Sequence, residues 1–446
     1  MFKTVRDAFK VKDIRQRLLY TFLMLIIVRI GCQLPMPGTT QESIKAATSG
    51  MGALKNLGFF SALTGGSFEQ GSIFALNITP YITSSIIIQL LTIAIPALEE
   101  MQKDGEEGRK KIQNITRYVT VALALIQATA TVISFGNQGL FGNAYTFSLK
   151  NKHDLFAVIV AVMALTAGSA FLMWMGENIT EKGVGNGISV ILLINIVSRM
   201  PSDVQTLYQQ FVKTPSSIGG KLLSAVVIVA IVVVIVAFVV VLQDAERRIP
   251  VQYSKKVQGR KLVGGQSSHI PLKVNTAGVI PIIFAQSLLM FPVVICQFIG
   301  KSPEWAKYLQ QNYWCRFNTP SQIKYSIGFI VYIALVIAFA YFYTSITFNP
   351  IEVADNMKKS GGFIPGIRPG KPTQDYLNNL LNYIVLIGAV GLLIVAVIPI
   401  AAEGLSGAQI AMGGTSLIIV VGVVLETIKN IESKMVVRSY KGFLID

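Results

Sequence analysis

The sequence predicts an all-α polytopic membrane fold, with ten transmembrane helices in two inverted five-helix halves. Three observations predict it. Ten apolar stretches of bilayer-spanning length carry almost no charge, the loops between them are lopsidedly basic, and a polar stretch divides the ten runs five and five. A hydrocarbon core about 30 Å thick needs roughly 20 apolar residues per helix. The stretches fall near 18–34, 72–95, 116–136, 154–175, 185–199, 221–243, 274–299, 325–348, 378–399 and 406–428. Arg29 is the only unambiguous midspan charge.

Composition agrees. The chain of 446 residues is 52% hydrophobic and only 14% charged, a balance rare in soluble domains. Its net charge of +16 would suggest nucleic acid in a soluble protein, but here the location of the charge carries the information. Lys3, Arg6, Lys10, Lys12, Arg15 and Arg17 precede the first span. Arg247, Arg248, Lys255, Lys256, Arg260, Lys261 and Lys273 crowd the loop 244–273. The opposite loops hold few, such as Lys45, Lys55, Lys150 and Lys152. By the positive-inside rule both termini are cytoplasmic, and ten spans require the termini to share a side. The basic start followed by Leu18–Val28 has the outline of a signal peptide. Arg29 interrupts the run, and Pro35 and Pro37 follow without a small-x-small site, so the segment is read as an ordinary first span. Cys32, Cys296 and Cys315 have no metal-like spacing, and His153 and His269 lie far apart, so no metal, disulfide framework or cofactor is expected.

The organisation follows from the count. Residues 1–200 form an N-terminal half, 201–220 an external hinge with Pro201, Pro215, Gly219 and Gly220, and 221–446 a C-terminal half. Five is odd, so the second half begins on the opposite side of the membrane and the halves are topologically inverted. Two places are irregular. Residues 57–71 are apolar at first but too short to span, and Gly65 and Gly66 break them. Non-helical backbone at membrane depth survives only inside protein or beside water. Both a re-entrant half-helix that plugs a cavity and an external loop with a short amphipathic helix remain open. GVGNGIS, residues 183–189, opens the fifth span with glycines that permit close backbone approach. It is not a nucleotide loop, since Ile188 stands where the last glycine belongs, and Gly300–Lys301–Ser302 lacks the first glycine of a P-loop. With no ATPase site visible, energy must come from a partner or a gradient, and the chain is not read as an enzyme.

Two large loops face the cytosol. In 244–273, positive residues alternate with Val, Ile and Tyr, the pattern of a β-hairpin with its tip at Gln258–Gly259. In 349–376, the prolines from Pro365 to Pro372, interleaved with glycines, exclude a long helix there and hold a rigid loop presenting Arg368. Attraction to anionic lipid accounts for about 1 kcal/mol per cation. The loops are longer than orientation needs, which favours an acidic docking partner such as ribosomal RNA.

The spans lack what other classes need. No convincing midspan Asp, Glu, His or Lys serves ion or proton coupling, since Glu177, Glu181 and Glu426 lie near cytoplasmic ends and Glu403 in a short external turn. There is no carboxylate ring and no K⁺ filter. The polar residues of the spans are uncharged, among them Thr83, Gln89, Asn275 and Gln286. Isoleucine is abundant: Ile78 and Ile82 share a helical face, as do Ile188 and Leu192. Most such residues face lipid or pack, yet a constriction of branched aliphatics also seals against ions and deforms around a passenger.

The sequence resembles the SecY family, the central subunit of the bacterial protein-translocation channel, over essentially its whole length. The resemblance is carried by SIFALNITPYITSSIIIQLL (72–91), EEGRKKIQNITRY (106–118), GENITEKGVGNGIS (176–189), PLKVNTAGVIPIIFAQS (271–287), FNPIEVADNMKKSGGFIPGIRPGKPT (348–373) and MGGTSL (412–417). It implies an hourglass channel between the two halves, in the bacterial plasma membrane, that conducts unfolded secretory polypeptides and releases hydrophobic segments sideways into lipid. The implied pore ring is Ile78, Ile82, Ile188, Leu192, Ile283 and Ile419, with Leu192 where isoleucine is common. The implied plug is about 57–70, including Phe59, Phe60, Leu63, Gly65 and Gly66. The implied lateral gate lies between the second and seventh spans, with Thr83, Gln89 and Asn275 as polar contacts. Lys255, Lys256, Arg260, Lys261 and Arg368 would dock the SecA motor or the ribosome, including its RNA. The other implied partners are the small subunits SecE and SecG, signal peptides and nascent chains, with lipid around them. A secondary transporter and a structural scaffold are the rival classes. The missing midspan carboxylate speaks against the transporter.

Overall fold

The computed structural model describes residues 6, 9–39, 64–68, 70–137, 152–209, 218–253, 256–258, 261–263, 267–298, 303–315, 324–406 and 414–441. Apolar runs fold as helices because hydrocarbon offers no partner to a free backbone N–H or C=O. In chain order these are α1 (Lys12–Gln33), α2 (Thr79–Ala94), α3 (Pro96–Lys103), α4 (Gly105–Asn137), α5 (Lys152–Lys182) and α6 (Gly187–Leu207). They continue with α7 (Ile218–Asp244), α8 (Ile280–Phe298), the short α9 (Ala306–Leu309), α10 (Ile327–Thr347), α11 (Pro350–Lys359), α12 (Lys371–Ser406) and α13 (Gly414–Lys441). Exposed apolar side chains recur at helical spacing, as in Tyr383, Leu386, Ile387, Val390, Ile394 and Ile398 of α12. A stripe of that length is stable against lipid, not water.

Among the described residues, five helices are apolar and long enough to cross a bilayer on length and composition, and they lie in α4, α5, α6, α10 and α12. The α2–α3 pair makes a sixth, broken by a 101° bend at Ile95. Val229–Asp244 of α7 and Ile280–Met290 of α8 are shorter apolar stretches.

Several boundaries differ from the expected spans, each for a local reason. The second helix starts at Thr79, not near 72, because residues 73–78 form turns. Asn77 takes a φ of +51° there and its Oδ1 accepts the Ile78 N–H at 2.9 Å. Pro80 then occupies the first turn of α2, where its missing N–H costs nothing. The helices reach into the stretch 201–220 expected as a hinge: α6 carries on through Pro201 to Leu207, and α7 begins at Ile218. The expected loop 349–376 contains helix α11, and its residues from Lys371 onward already belong to α12, again with a proline in the first turn. α12 continues to Ser406, so Glu403 is helical rather than in a turn.

Between α7 and α8 the chain forms strands β1 (Glu246–Tyr253), β2 (Lys256–Gln258), β3 (Lys261–Val263) and β4 (Ser267–Lys273). β1 pairs antiparallel with β4 from Glu246↔Lys273 to Gln252↔Ser267, and β2 with β3 through Gln258↔Lys261. This is the expected hairpin, except that Gln258 is a paired residue of β2 rather than part of the tip. One pairing joins the two long interhelical segments: β5 (Gly362–Phe363) adds to the other edge of β1, giving the order β4-β1-β5. Ile249, Val251 and Leu272 of the hairpin then share a buried cluster with Met357, Ile364, Leu377 and Leu381.

The packing of the helices divides. One cluster joins Met36, Leu76, Ala128 and Leu165, and a second joins Val28, Phe74, Ile78, Leu172, Ile179 and Ile191, all from the first 200 residues. The largest runs from Ile235 to Ile418 through α7, α8, α10, α12 and α13. Two further clusters draw on both sets: a small one of Ile14, Val184 and Ile431, and the central one described next.

Candidate functional site

The central cluster is built from five helices. Val190, Leu192 and Ile196 of α6 meet Ile283 of α8 and Ile419 and Val423 of α13, all buried. Leu25 of α1, Ile82 of α2, and Val279 and Val420 pack against them while partly buried. Every member is a branched aliphatic. The structure therefore brings Ile82, Leu192, Ile283 and Ile419 together. Ile78, just before α2, and Ile188 of α6 lie about one helical turn away, in or against the neighbouring cluster, and Ile82 packs against both clusters. Ile78 precedes α2, yet Ile82 N–H donates to Ile78 O at 3.0 Å, so the two side chains still stack as consecutive helical turns do.

α6 owes its position to the glycines before it. Asn186 caps the helix by accepting from Ile188 N–H at 3.1 Å and Ser189 N–H at 3.4 Å. A Cβ on Gly187 would lie 2.0 Å from the Gly176 carbonyl oxygen, so α5 and α6 approach as closely as their backbones allow. Gly185 takes a φ of +77° beside Thr427 of α13. On the other flank of this junction, Arg17 Nη1 donates to Glu181 O at 3.2 Å and Lys434 Nζ to Gly183 O at 3.3 Å. Two cations thus meet the carbonyl end of α5, where the helix dipole favours them. Burial is the first cause that pushes the Lys434 ammonium below its ordinary range, and the nearby Arg17 adds to it.

The described end of the expected plug, with the residues that follow it, is a chain of turns. Ser67 Oγ donates to Thr64 O at 2.7 Å and to Phe74 O at 3.1 Å, and Ser72 N–H donates to Ser67 O at 3.1 Å. Met36 N–H donates to Gly71 O at 2.9 Å and Ile73 N–H to Leu34 O at 3.0 Å, tying the segment to the end of α1. Gly65 and Gly66 hold φ values of +63° and +83°, which only glycine adopts without strain. Phe59, Phe60 and Leu63 lie outside the described residues.

The three expected gate residues are not joined by a hydrogen bond. Thr83 Oγ1 donates to Thr79 O at 3.0 Å within its own helix, Gln89 is exposed, and the buried Asn275 has no partner for its Nδ2. The polar contacts the structure does make lie elsewhere: Ser84 Oγ with Thr120 Oγ1 between α2 and α4, and Gln286 Nε2 to Gln311 Oε1 at 2.8 Å. Arg117 clasps Glu177 with both arms, Nε at 2.9 Å and Nη2 at 2.8 Å, joining α4 to α5.

Of the expected docking residues, Lys256 and Lys261 lie in the paired strands β2 and β3, and Lys255 and Arg260 fall outside the described residues. Arg368 is exposed between Gly366 (φ +84°) and Gly370 (φ +104°), with its carbonyl held by Thr373 Oγ1 at 2.8 Å. The residue missed by sequence reasoning is Asn195, buried on α6 three positions past Leu192. Its one sequence signal was a lone amide inside the apolar run 187–197. No group of His, Cys, Asp and Glu among the described residues could hold a metal ion.

An aliphatic cluster of this kind can seal against ions. A family model described as SecY matches residues 72–428. A protein translocase subunit SecY from Streptomyces scabiei is 43% identical over 453 residues, covering 100% of both chains. Among solved structures, one concerning the plug domain of a SecY protein matches with a TM-score of 0.61 at 18% identity, covering 95% of this chain and 92% of the other. Sec61 from a canine ribosome-channel complex of the endoplasmic reticulum matches with a TM-score of 0.58 at 16% identity, covering 95% and 93%.

Proposed function

The chain belongs to the SecY family, and from that premise we propose that it is the channel subunit of a bacterial protein translocase. It is a multi-pass protein of the plasma membrane with both termini in the cytoplasm. Ten crossings form two inverted five-helix halves, and an hourglass path for unfolded polypeptides runs between them. The observation that carries this reading is the central aliphatic cluster. It is where helices of the two packing units meet, and it contains no charge and no hydrogen bond between side chains. Such a contact excludes ions and water when closed. It also parts without breaking any polar network, which suits a passage that must stretch around chains of any sequence.

Ile78, Ile82, Ile188, Leu192, Ile283 and Ile419 form the constriction in this reading, and the turns at Gly65 and Gly66 belong to a plug beyond it. The passage opens sideways between α2 and α8, where Thr83, Gln89 and Asn275 tolerate water once parted. A signal peptide inserts there, replaces helix–helix contacts with its own, and shifts the equilibrium toward the open state by its differential affinity. Force comes from outside the chain, from the SecA ATPase or an elongating ribosome, docked on the β-hairpin and on Arg368. Lys255, Lys256, Arg260 and Lys261 supply phosphate-attracting charge on that hairpin. SecE and SecG are the expected membrane partners. The Sec61 neighbour, found in a ribosome-channel complex, supports the ribosome as partner.

The test is site-specific photocrosslinking from Ile82 and Ile188 to a stalled secretory chain. Crosslinks that depend on a functional signal sequence are expected at both positions. Their absence in an export-competent complex refutes the path. Uptake of a small solute driven by a cation gradient would favour the transporter class instead.

A further inference from the structure

Asn195 is fully buried, and neither its Oδ1 nor its Nδ2 has a hydrogen-bond partner. Buried side-chain amides are nearly always paired, so one left doubly unsatisfied calls for a reason. Its position supplies one. Three residues past Leu192 is about 4.5 Å along the helix axis, and the next residue, Ile196, is a member of the central cluster. Asn195 therefore sits at the edge of the aliphatic seal.

The glycine turn lies against its backbone and Cβ. A Cβ on Gly65 would come within 2.9 Å of the Asn195 carbonyl oxygen and 3.0 Å of its Cα and Cβ. Gly65 has no side chain to offer the amide, and Thr64 and Ser67 beside it are themselves buried. Farther along the same face of α6, at helical spacing of four, stand Arg199 and Asp203, their Nε and Oδ1 3.7 Å apart and both little exposed. A polar stripe thus leads away from the seal, and its innermost member is the one left unpaired.

We propose that Asn195 is a positioning residue that sets how readily the Gly65–Gly66 turn leaves its seat. This rests on the channel reading above. While the turn is seated, the amide is dry and unsatisfied. Once the turn lifts, water or the backbone amides of an extended passenger satisfy it. The polar penalty falls on the closed state alone, so it shifts the equilibrium toward opening. An unsatisfied buried amide of this kind is worth roughly tenfold in that equilibrium.

The experiment is the conductance of the chain, reconstituted with its membrane partners in a planar bilayer, titrated with a synthetic signal peptide. Asn195→Leu has nearly the same size but no polar group. It is expected to lower resting conductance and to raise the peptide concentration needed for opening by roughly tenfold. Asn195→Thr can satisfy its hydroxyl on the Ile191 carbonyl one turn back and is expected to shift the same way, which keeps the test open if the leucine variant fails to assemble. Asn195→Asp, also the same size, buries a charge in the closed state and is expected to raise resting conductance. If the residue only fills space, replacement by Leu and by Asp would loosen the seat alike, and two leaky variants overturn the proposal. Wild-type gating in all three overturns it as well. A wild-type complex that never opens with peptide defeats the channel reading itself, a distinct outcome.

Discussion

Replacing Ile419 with asparagine separates the seal from the rest of the core. Ile419 is 1% exposed and sits among Leu192, Ile283, Val190, Ile196 and Val423. Losing its burial removes about 1.5–3 kcal/mol. Stranding an amide among aliphatic neighbours costs about 1–3 kcal/mol more. Both penalties apply to the closed state, because the open state parts the cluster and wets it. At 1.4 kcal/mol per tenfold, the closed-to-open ratio falls by about a hundredfold or more. The assay is twofold: ion conductance of the reconstituted complex without signal peptide, and export of a secretory protein with a crippled signal sequence. Both should rise. The control is the adjacent residue. Ile418 is just as buried but faces the large cluster of α7, α8, α10 and α12 instead of the central one. Ile418→Asn should lower thermal stability and accumulation without raising conductance. Unchanged conductance and signal selectivity in Ile419→Asn, or equal leak in the two variants, would refute the assignment.

Arg368→Glu reverses an exposed charge on a glycine-bounded turn, so it should impair motor-driven export while leaving membrane insertion of the chain intact, as pulse-labelled export and membrane fractionation would report. Gly187→Ala places a methyl 2.0 Å from the Gly176 carbonyl oxygen; forced separation of α5 and α6 should cost at least about 1–3 kcal/mol, read as a lower melting temperature of the detergent-solubilised protein. Cys315 is buried, and burial raises its thiol above the ordinary value of 9.0. A folded pKa above the unfolded one means that the stabilisation is complete below about 9 and is lost as pH rises through the raised value. Maleimide should therefore label Cys315 slowly in the native protein at pH 8, faster in strongly alkaline buffer, and rapidly at pH 8 once the chain is unfolded.

Much of the molecule was legible because the bilayer imposes a simple code. Apolar runs of spanning length become helices when no other backbone arrangement satisfies its polar groups, and the biased cations predict an orientation for them. Turn chemistry was equally readable: the alternation in 244–273 became a hairpin, and the glycines at 183–189 became the close approach of α5 and α6. Spacing also placed Ile78 over Ile82 and Ile188 near Leu192, since neighbours along a helix are set by its pitch. What spacing could not decide was which aliphatic side chains of other helices stand opposite. Lipid-facing and inward-facing isoleucines are chemically identical, so Ile283 and Ile419 join Ile82 and Leu192 only through the packing of α2, α6, α8 and α13. The β5 strand that binds one long interhelical loop to the other is two residues long and carries no pattern of its own. Asn195 read as one more polar residue in a span; its meaning depends on Gly65, 130 positions earlier, lying against it. Local structure follows from the chain and its solvent, whereas a site made of residues distant in sequence exists only once the helices have met.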